Sequence, residues 1–401
     1  MSIFNVSSVI RNIETSASIA IRAKTVELNK QGENVISFAT GEPDFDTPEN
    51  IKKAAKHAIE IGFTKYTAVD GIVDLRKAIC HKLKIDNNLV YSANEIIVSN
   101  GAKQALYNTL RTICNPGDHV IVPTPCWVTY PEQIKLTGAI PIFTYGNESN
   151  NFKLTVNELK KKITKKTRGM IINSPSNPAG AVYSKRDLEE LSEFALEKNM
   201  WIISDEIYEK LVYHNKKHIS IASISPEIKN LVITINGLSK SYAMTGWRVG
   251  YAAGAKEIIK SMKKLQGHTT ANINSITQKA AIEALTGPQD FVDLMLTEYY
   301  SRKNKMLEYF NSLERVSCNN PDGAFYVFPN VSKLYGAKYE KGILVNDFDI
   351  ANYLLEYAHI AVVPGSSYYC PGYIRLSYAT SMENIEKGLE RMSIALQNLV
   401  F

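Results

Sequence analysis

Lys240 stands in Asn236-Gly237-Leu238-Ser239-Lys240, directly after the apolar run Leu231 to Ile235, and Arg248 follows within the same glycine-marked stretch. A lysine at the carboxyl end of a buried strand loses hydration, its pKa falls, and its neutral amine can trap a carbonyl. An arginine close by suits an anionic group on whatever is trapped. Two further charges stand in apolar runs: Asp205 ends Trp201-Ile202-Ile203-Ser204-Asp205, and Arg375 interrupts Tyr373-Ile374-Arg375-Leu376. A buried carboxylate or guanidinium is costly without an opposite charge, so each asks for a partner in the protein or in a ligand.

The elements that position these groups show in the periodicity. Ile51 to Ile61 and Leu75 to Leu83 read as amphipathic helices. Seven short apolar runs follow: Glu95–Val98, His119–Val122, Ile140–Phe143, Met170–Ile172, Trp201–Ile203, Leu231–Ile235 and Val249–Ala252. Their alternation with helical patterns indicates an α/β domain with a largely parallel sheet buried on both faces. Such sheets bind ligands at the carboxyl ends of their strands. After the first run, Ser99-Asn100-Gly101-Ala102-Lys103 opens a helix, a start that suits an anion. Trp127 lies on a proline-stiffened loop after the second run, and Asn173-Ser174-Pro175-Ser176-Asn177-Pro178 forms a turn after the fourth. Beyond about residue 285 a long helix (Asp290 to Leu313) leads to antiparallel-looking strands at 323–328, 360–364 and 373–378, then a closing helix from Met382 to about Leu399.

A chain of 401 residues exceeds one ordinary hydrophobic core, so two domains are expected. No apolar run is long enough for a membrane span, and residues 1–18 lack the apolar segment of a secretory signal. Five scattered cysteines without metal-ligand spacing predict free thiols in a cytoplasmic protein and no metal site. The net charge of +6 is modest, and the densest basic run, Lys160 to Lys166, has no interleaved aromatics; it reads as a solvated helix end rather than a nucleic-acid surface.

The stretch N-G-x-S-K-x-x-x-x-x-G-W-R-x-G-Y resembles the cofactor attachment site of class I aminotransferases. Gly41-Glu42-Pro43, Tyr66-Thr67, Gly101-Ala102-Lys103, Trp127, Asn177-Pro178, Asp205-x-x-Tyr208 and Arg375 extend the resemblance over the chain from about residue 10, nearest the bacterial aspartate aminotransferase (aspartate/prephenate) branch. The resemblance implies the pyridoxal-phosphate-dependent transferase fold, fold type I. Residues 46–289 would form the large domain, and residues 1–45 with 290–401 a smaller α+β domain. It implies pyridoxal 5′-phosphate as cofactor. Lys240 would carry the cofactor aldehyde and move the substrate proton, Asp205 would pair with the ring nitrogen, and Tyr208 and Asn177 would hydrogen-bond the ring oxygen. Trp127 would stack on the ring. Gly101, Ala102, Ser239 and Arg248, beside Lys103, would hold the phosphate. Tyr66 would come from a second copy of the chain, making a homodimer with shared sites.

For the substrate, the resemblance assigns the α-carboxylate to Arg375, helped by Asn177 and the backbone near Gly41, and the far carboxylate of an acidic substrate to Lys103. The segment 266–275 contains no arginine that could take that second task, only polar candidates such as Thr269, Thr270 and Asn274. Glu14 falls where prephenate-using relatives carry Lys or Thr, and its charge would repel a dicarboxylate's far end. The activity expected is reversible amino transfer from L-aspartate to 2-oxoglutarate, giving oxaloacetate and L-glutamate by a ping-pong mechanism; the alternative is an aminotransferase for prephenate or for aromatic or neutral amino acids. The absence of G-x-G-x-x-G after any apolar run argues against a nucleotide-binding dehydrogenase; Gly250-Tyr251-Ala252-Ala253-Gly254 has the wrong spacing.

Overall fold

The computed structural model describes residues 5–15, 17–213 and 216–401, with the side chains of 17–20 and 22 left aside. The seven apolar runs become seven strands of one sheet: β1 (Ile96–Ser99), β2 (His119–Thr124), β3 (Ile140–Tyr145), β4 (Thr167–Asn173), β5 (Trp201–Asp205), β6 (Val232–Gly237) and β7 (Gly250–Ala253). Their order across the sheet is β1-β7-β6-β5-β4-β2-β3. All pairings are parallel except those of β7, which runs antiparallel to both β1 and β6. Six strands therefore end at one edge of the sheet, and β7 begins there.

The reason lies in the side chains. Ile96, Ile97 and Val98, Val120 to Val122, Met170 to Ile172 and Val232 to Ile235 are all buried, so both faces of these strands are covered. Each such β-branched or large aliphatic side chain contributes about 1.5–3 kcal/mol when taken fully out of water. Pro141 lacks an N–H and sits in β3, the edge strand, where a missing donor costs little. Pro123 lies in β2 past the last residue paired with β4, Ile121, and so is paired only toward β3.

Helices cover the sheet. Glu49–Glu60 presents Ile51, Ala55 and Ala58 inward, and Val73–Asn87 extends past both ends of the helix predicted there. Ala102–Ile113 packs on β1, β6 and β7. The basic run does end a helix, Val156–Lys162. A helix at Ala17–Lys30 was not expected from the sequence, whose apolar stripe there is weak.

The second core gathers Ile36 and Phe38 with residues 295–399 and takes in Tyr208, Leu211 and Tyr213 from the loop after β5. Asp290–Asn311 and Met382–Gln397 form the long helices predicted there. The antiparallel strands are shorter than expected: Tyr326–Val327, Val363–Pro364 and Ile374–Ser377 form one small sheet. The run 360–364 divides, because Ile360–Ala361 pairs in parallel with Ile36–Ser37 while Val363–Pro364 turns to pair antiparallel with the strand of Arg375. That division puts Arg375 beside the chain segment that leads to Gly41. No helix among the described residues is long and apolar enough to cross a membrane.

Candidate active site

The carboxyl edge of the sheet opens into a cavity of about 440 Å³ whose walls include Gly41, Ala102, Lys103, Trp127, Asn177, Asp205, Tyr208, Ser239, Lys240, Arg248 and Arg375. Each comes from where its strand ends: Ala102 follows β1, Trp127 β2, Asn177 β4, Asp205 closes β5, and Lys240 follows β6. Arg248 arrives differently. It precedes β7, and because β7 runs backward, its amino end lies at the edge where the other strands finish.

Lys240 donates from Nζ to the carbonyl of Gly41. Burial, opposed by Glu42 and reinforced by Arg375, Arg248 and Lys103, lowers its pKa from 10.5 to about 8. An amine so tuned is partly neutral at physiological pH and therefore nucleophilic.

Asp205 is 3% exposed, and no cation pairs with it among the described residues. Its Oδ2 accepts from Tyr130 Oη at 2.7 Å and its Oδ1 from the Ile207 N–H at 3.3 Å. Burial outweighs these two bonds and raises its pKa to about 6. Tyr208 shares a hydroxyl contact of 2.8 Å with Tyr326.

Arg375 is likewise 3% exposed, with no carboxylate partner among the described residues. Its Nη1 donates to Asn177 Oδ1 at 3.2 Å and its Nη2 to the Ala39 carbonyl at 2.5 Å, while Nε is buried with no partner among the described residues. The guanidinium lies 4.4 Å from the ring centre of Tyr326 and 5.2 Å from that of Tyr368. Two buried, uncompensated charges of opposite sign in one cavity fit a ligand that carries both a cationic nitrogen and a carboxylate.

A third feature fits an anion. Gly101 has φ +78, and a Cβ on it would stand 2.3 Å from Arg248 Nη2; a Cβ on Gly250 would stand 2.3 Å from the Ala102 nitrogen. These two glycines let the start of the helix Ala102–Ile113, the hydroxyl-bearing loop of Ser239 and the Arg248 fork converge. Arg248 itself holds φ 55, a strained conformation for a side chain of this size, with Nη1 tied to the Thr245 carbonyl at 2.9 Å. Lys103 stands at the rim with Nζ 4.9 Å above the Trp127 ring centre, and burial and the Arg248 charge lower its pKa.

Two predicted residues stand apart from this cavity. Tyr66 is 92% exposed, on a loop held by Ser275 Oγ to the Phe63 carbonyl and Gln278 Nε2 to Thr67 Oγ1. Glu14 is exposed, with its N–H on Glu132 Oε2 at 3.0 Å. Of the polar candidates, Thr270 accepts from Gln104, and Asn274 lines a neighbouring groove of about 780 Å³ that shares Glu42, Thr245 and Arg248 with the cavity. The sequence reading missed Tyr130, Tyr326 and Tyr368 as wall residues. Tyr130 had one signal in the sequence, its place three residues after Trp127 in the same segment past β2.

Fold and site together define an α/β protein that presents a desolvated lysine, an uncompensated acid and an anion cradle at the edge of its sheet. The sequence model of the aminotransferase class I and II family matches residues 33–392, and the chain belongs to that family. Among its relatives, the aspartate aminotransferase of Bacillus sp. (strain YM-2) is 46% identical over 383 residues, covering 96% of this chain and 97% of the relative. The probable aspartate/prephenate aminotransferase of Rickettsia typhi (strain ATCC VR-144 / Wilmington) is 44% identical over 397 residues, covering 98% and 99%. The crystal structure of the aspartate aminotransferase from Rhizobium meliloti superposes with a TM-score of 0.96 at 41% identity, covering 99% of this chain and 100% of that one.

Proposed function

We propose that the chain is an aspartate aminotransferase that binds pyridoxal 5′-phosphate and moves the amino group of L-aspartate to 2-oxoglutarate, in two half-reactions. The observation that carries this reading is the pair of buried charges with no opposite charge paired to them among the described residues, Asp205 and Arg375, in one cavity with the desolvated Lys240. When bound, the cofactor supplies an aldehyde that captures the substrate amine and a ring that takes up the electron pair left by the departing α-proton.

The chain's own residues divide the remaining work. Lys240 Nζ would hold the cofactor aldehyde and, once the substrate amine has displaced it, would take up and move the proton released from the substrate Cα. Asp205 would pair with the ring nitrogen, Tyr208 and Asn177 would hydrogen-bond the ring oxygen, and Trp127 would cover the ring face. The Gly101–Ala102 helix start, Ser239 and Arg248 hold the phosphate. Arg375, braced by Asn177 and the backbone leading to Gly41, grips the α-carboxylate, and Lys103 takes the far one.

Glu14 is not among the residues that line the cavity and its N–H donates to Glu132 Oε2; dicarboxylate binding is read as resting on Lys103. A second reading, prephenate as an additional 2-oxo acid acceptor, is favoured by the printed name of the Rickettsia typhi relative. Tyr66, exposed on its own chain, is read as completing the phosphate site of a second copy across a twofold axis, the neighbouring groove being the surface that copy covers. Residues 46–289 are read as the cofactor-binding domain, and 1–45 with 290–401 as the smaller one; two of the cores lie mainly in the first and one mainly in the second, while Val292 and the loop after β5 cross the division and a fourth core joins Phe152 and Ala179 to Val35, Ala39 and residues 328–368. Five free thiols suit the cytoplasm. The assignment is tested by Lys240→Ala, which should lose both the visible absorbance of lysine-bound cofactor and turnover; near-normal turnover would refute it.

A further inference from the structure

Tyr130 occupies a position that the chemistry above leaves unassigned. It lies on the helix Thr129–Leu136 and is 2% exposed. Its N–H donates to the Trp127 carbonyl at 3.0 Å. Its ring meets Trp127 edge to face, centres 5.4 Å apart at 88°, and its hydroxyl donates to Asp205 Oδ2 at 2.7 Å. One side chain thus touches both the residue that would cover the cofactor ring and the residue that would pair with its nitrogen.

Resting on the pyridoxal-phosphate reading, we propose that Tyr130 is a positioning residue: its hydroxyl holds the Asp205 carboxylate ionised and aimed at the cofactor nitrogen, while its ring braces Trp127. The hydrogen-bond arithmetic supports it. Asp205 has two donors, of which Tyr130 is the closer, and both oppose the burial and the Glu206 charge that raise its pKa. A hydrogen bond to the charged form of an acid favours that form. Burial and the Asp205 charge push the tyrosine's own pKa well up, so the hydroxyl keeps its proton and stays a donor across the working range.

The test is Tyr130→Phe, which removes the hydroxyl and leaves the ring on Trp127. Carboxyl carbon-13 NMR of the cofactor-free protein, assigned with Asp205→Asn, should find the Asp205 midpoint raised by about 1–2 pH units in Y130F. In the loaded protein, equilibrium dialysis should give pyridoxal phosphate binding about tenfold weaker in Y130F, and no further loss when Y130F is added to D205N. A merely structural role would leave the midpoint in place and weaken binding on both backgrounds alike; either result overturns the proposal. A parent protein that binds no pyridoxal phosphate overturns the functional reading and this one with it, whereas a parent that binds it while the Y130F midpoint stays put overturns this one alone.

Discussion

Replacing Lys103 by serine removes the ammonium that stands over Trp127 at the cavity rim and leaves the contacts of Arg375 and Lys240 in place, taking away only the smallest of the charges that lower the Lys240 pKa. A hydrogen bond to a charged group contributes about 1.5–3 kcal/mol where water is excluded. Lys103 is only partly covered at the rim and keeps contact with water, so the lower figure applies, about 1.5 kcal/mol or roughly tenfold. The loss belongs to substrates with a second carboxylate. Arg375 serves the α-carboxylate that every amino acid carries, so neutral donors should be spared, and phenylalanine gains from a less charged rim. Steady-state kcat/KM for aspartate, glutamate and phenylalanine, measured side by side, reads this directly. Aspartate and glutamate should each fall by about tenfold, mostly through KM, with phenylalanine within about twofold of the parent. An equal fall for all three, or unchanged aspartate, would refute the role given to Lys103.

Asp205 offers a stability test. Its folded pKa of about 6 lies above the ordinary 3.8, so the protonated form favours the fold: that stability is present below about pH 4 and is lost as pH rises through 6. Asp205→Asn should therefore stabilise the cofactor-free protein at pH 8 by up to about 3 kcal/mol in urea unfolding and change little at pH 4; no gain at pH 8 would contradict the burial argument. Gly101→Ala places a methyl on Arg248 at a residue with φ +78, and should cost about 1–3 kcal/mol of stability as well as cofactor affinity. Parent-like melting and dialysis curves would show that the cradle does not depend on the close approach.

The strand runs were legible because fully buried parallel strands leave uninterrupted β-branched segments, and all seven predicted runs fall in one sheet. Lys240, Asp205 and Arg375 were legible because a charge in or directly after such a run stands out. The direction of β7 was not, since a four-residue strand reads the same either way; yet that reversal is what brings Arg248 to the others. The division of 360–364 was hidden for a similar reason: which neighbour a short strand pairs with is decided by tertiary packing, not by its own residues. Tyr130, Tyr326 and Tyr368 escaped notice because, in a chain with 22 tyrosines, a buried one looks like core until its hydroxyl is seen to reach a carboxylate or its ring an arginine.

Donor preference in a single half-reaction is the most direct test of dicarboxylate transamination. The pyridoxal-phosphate-loaded protein is mixed with one amino acid at a time, and the visible band of the lysine-bound cofactor is followed. Aspartate and glutamate should bleach it about tenfold or more faster than phenylalanine at equal concentration. Phenylalanine as fast as aspartate, or no bleaching by either acidic amino acid, would contradict the assignment.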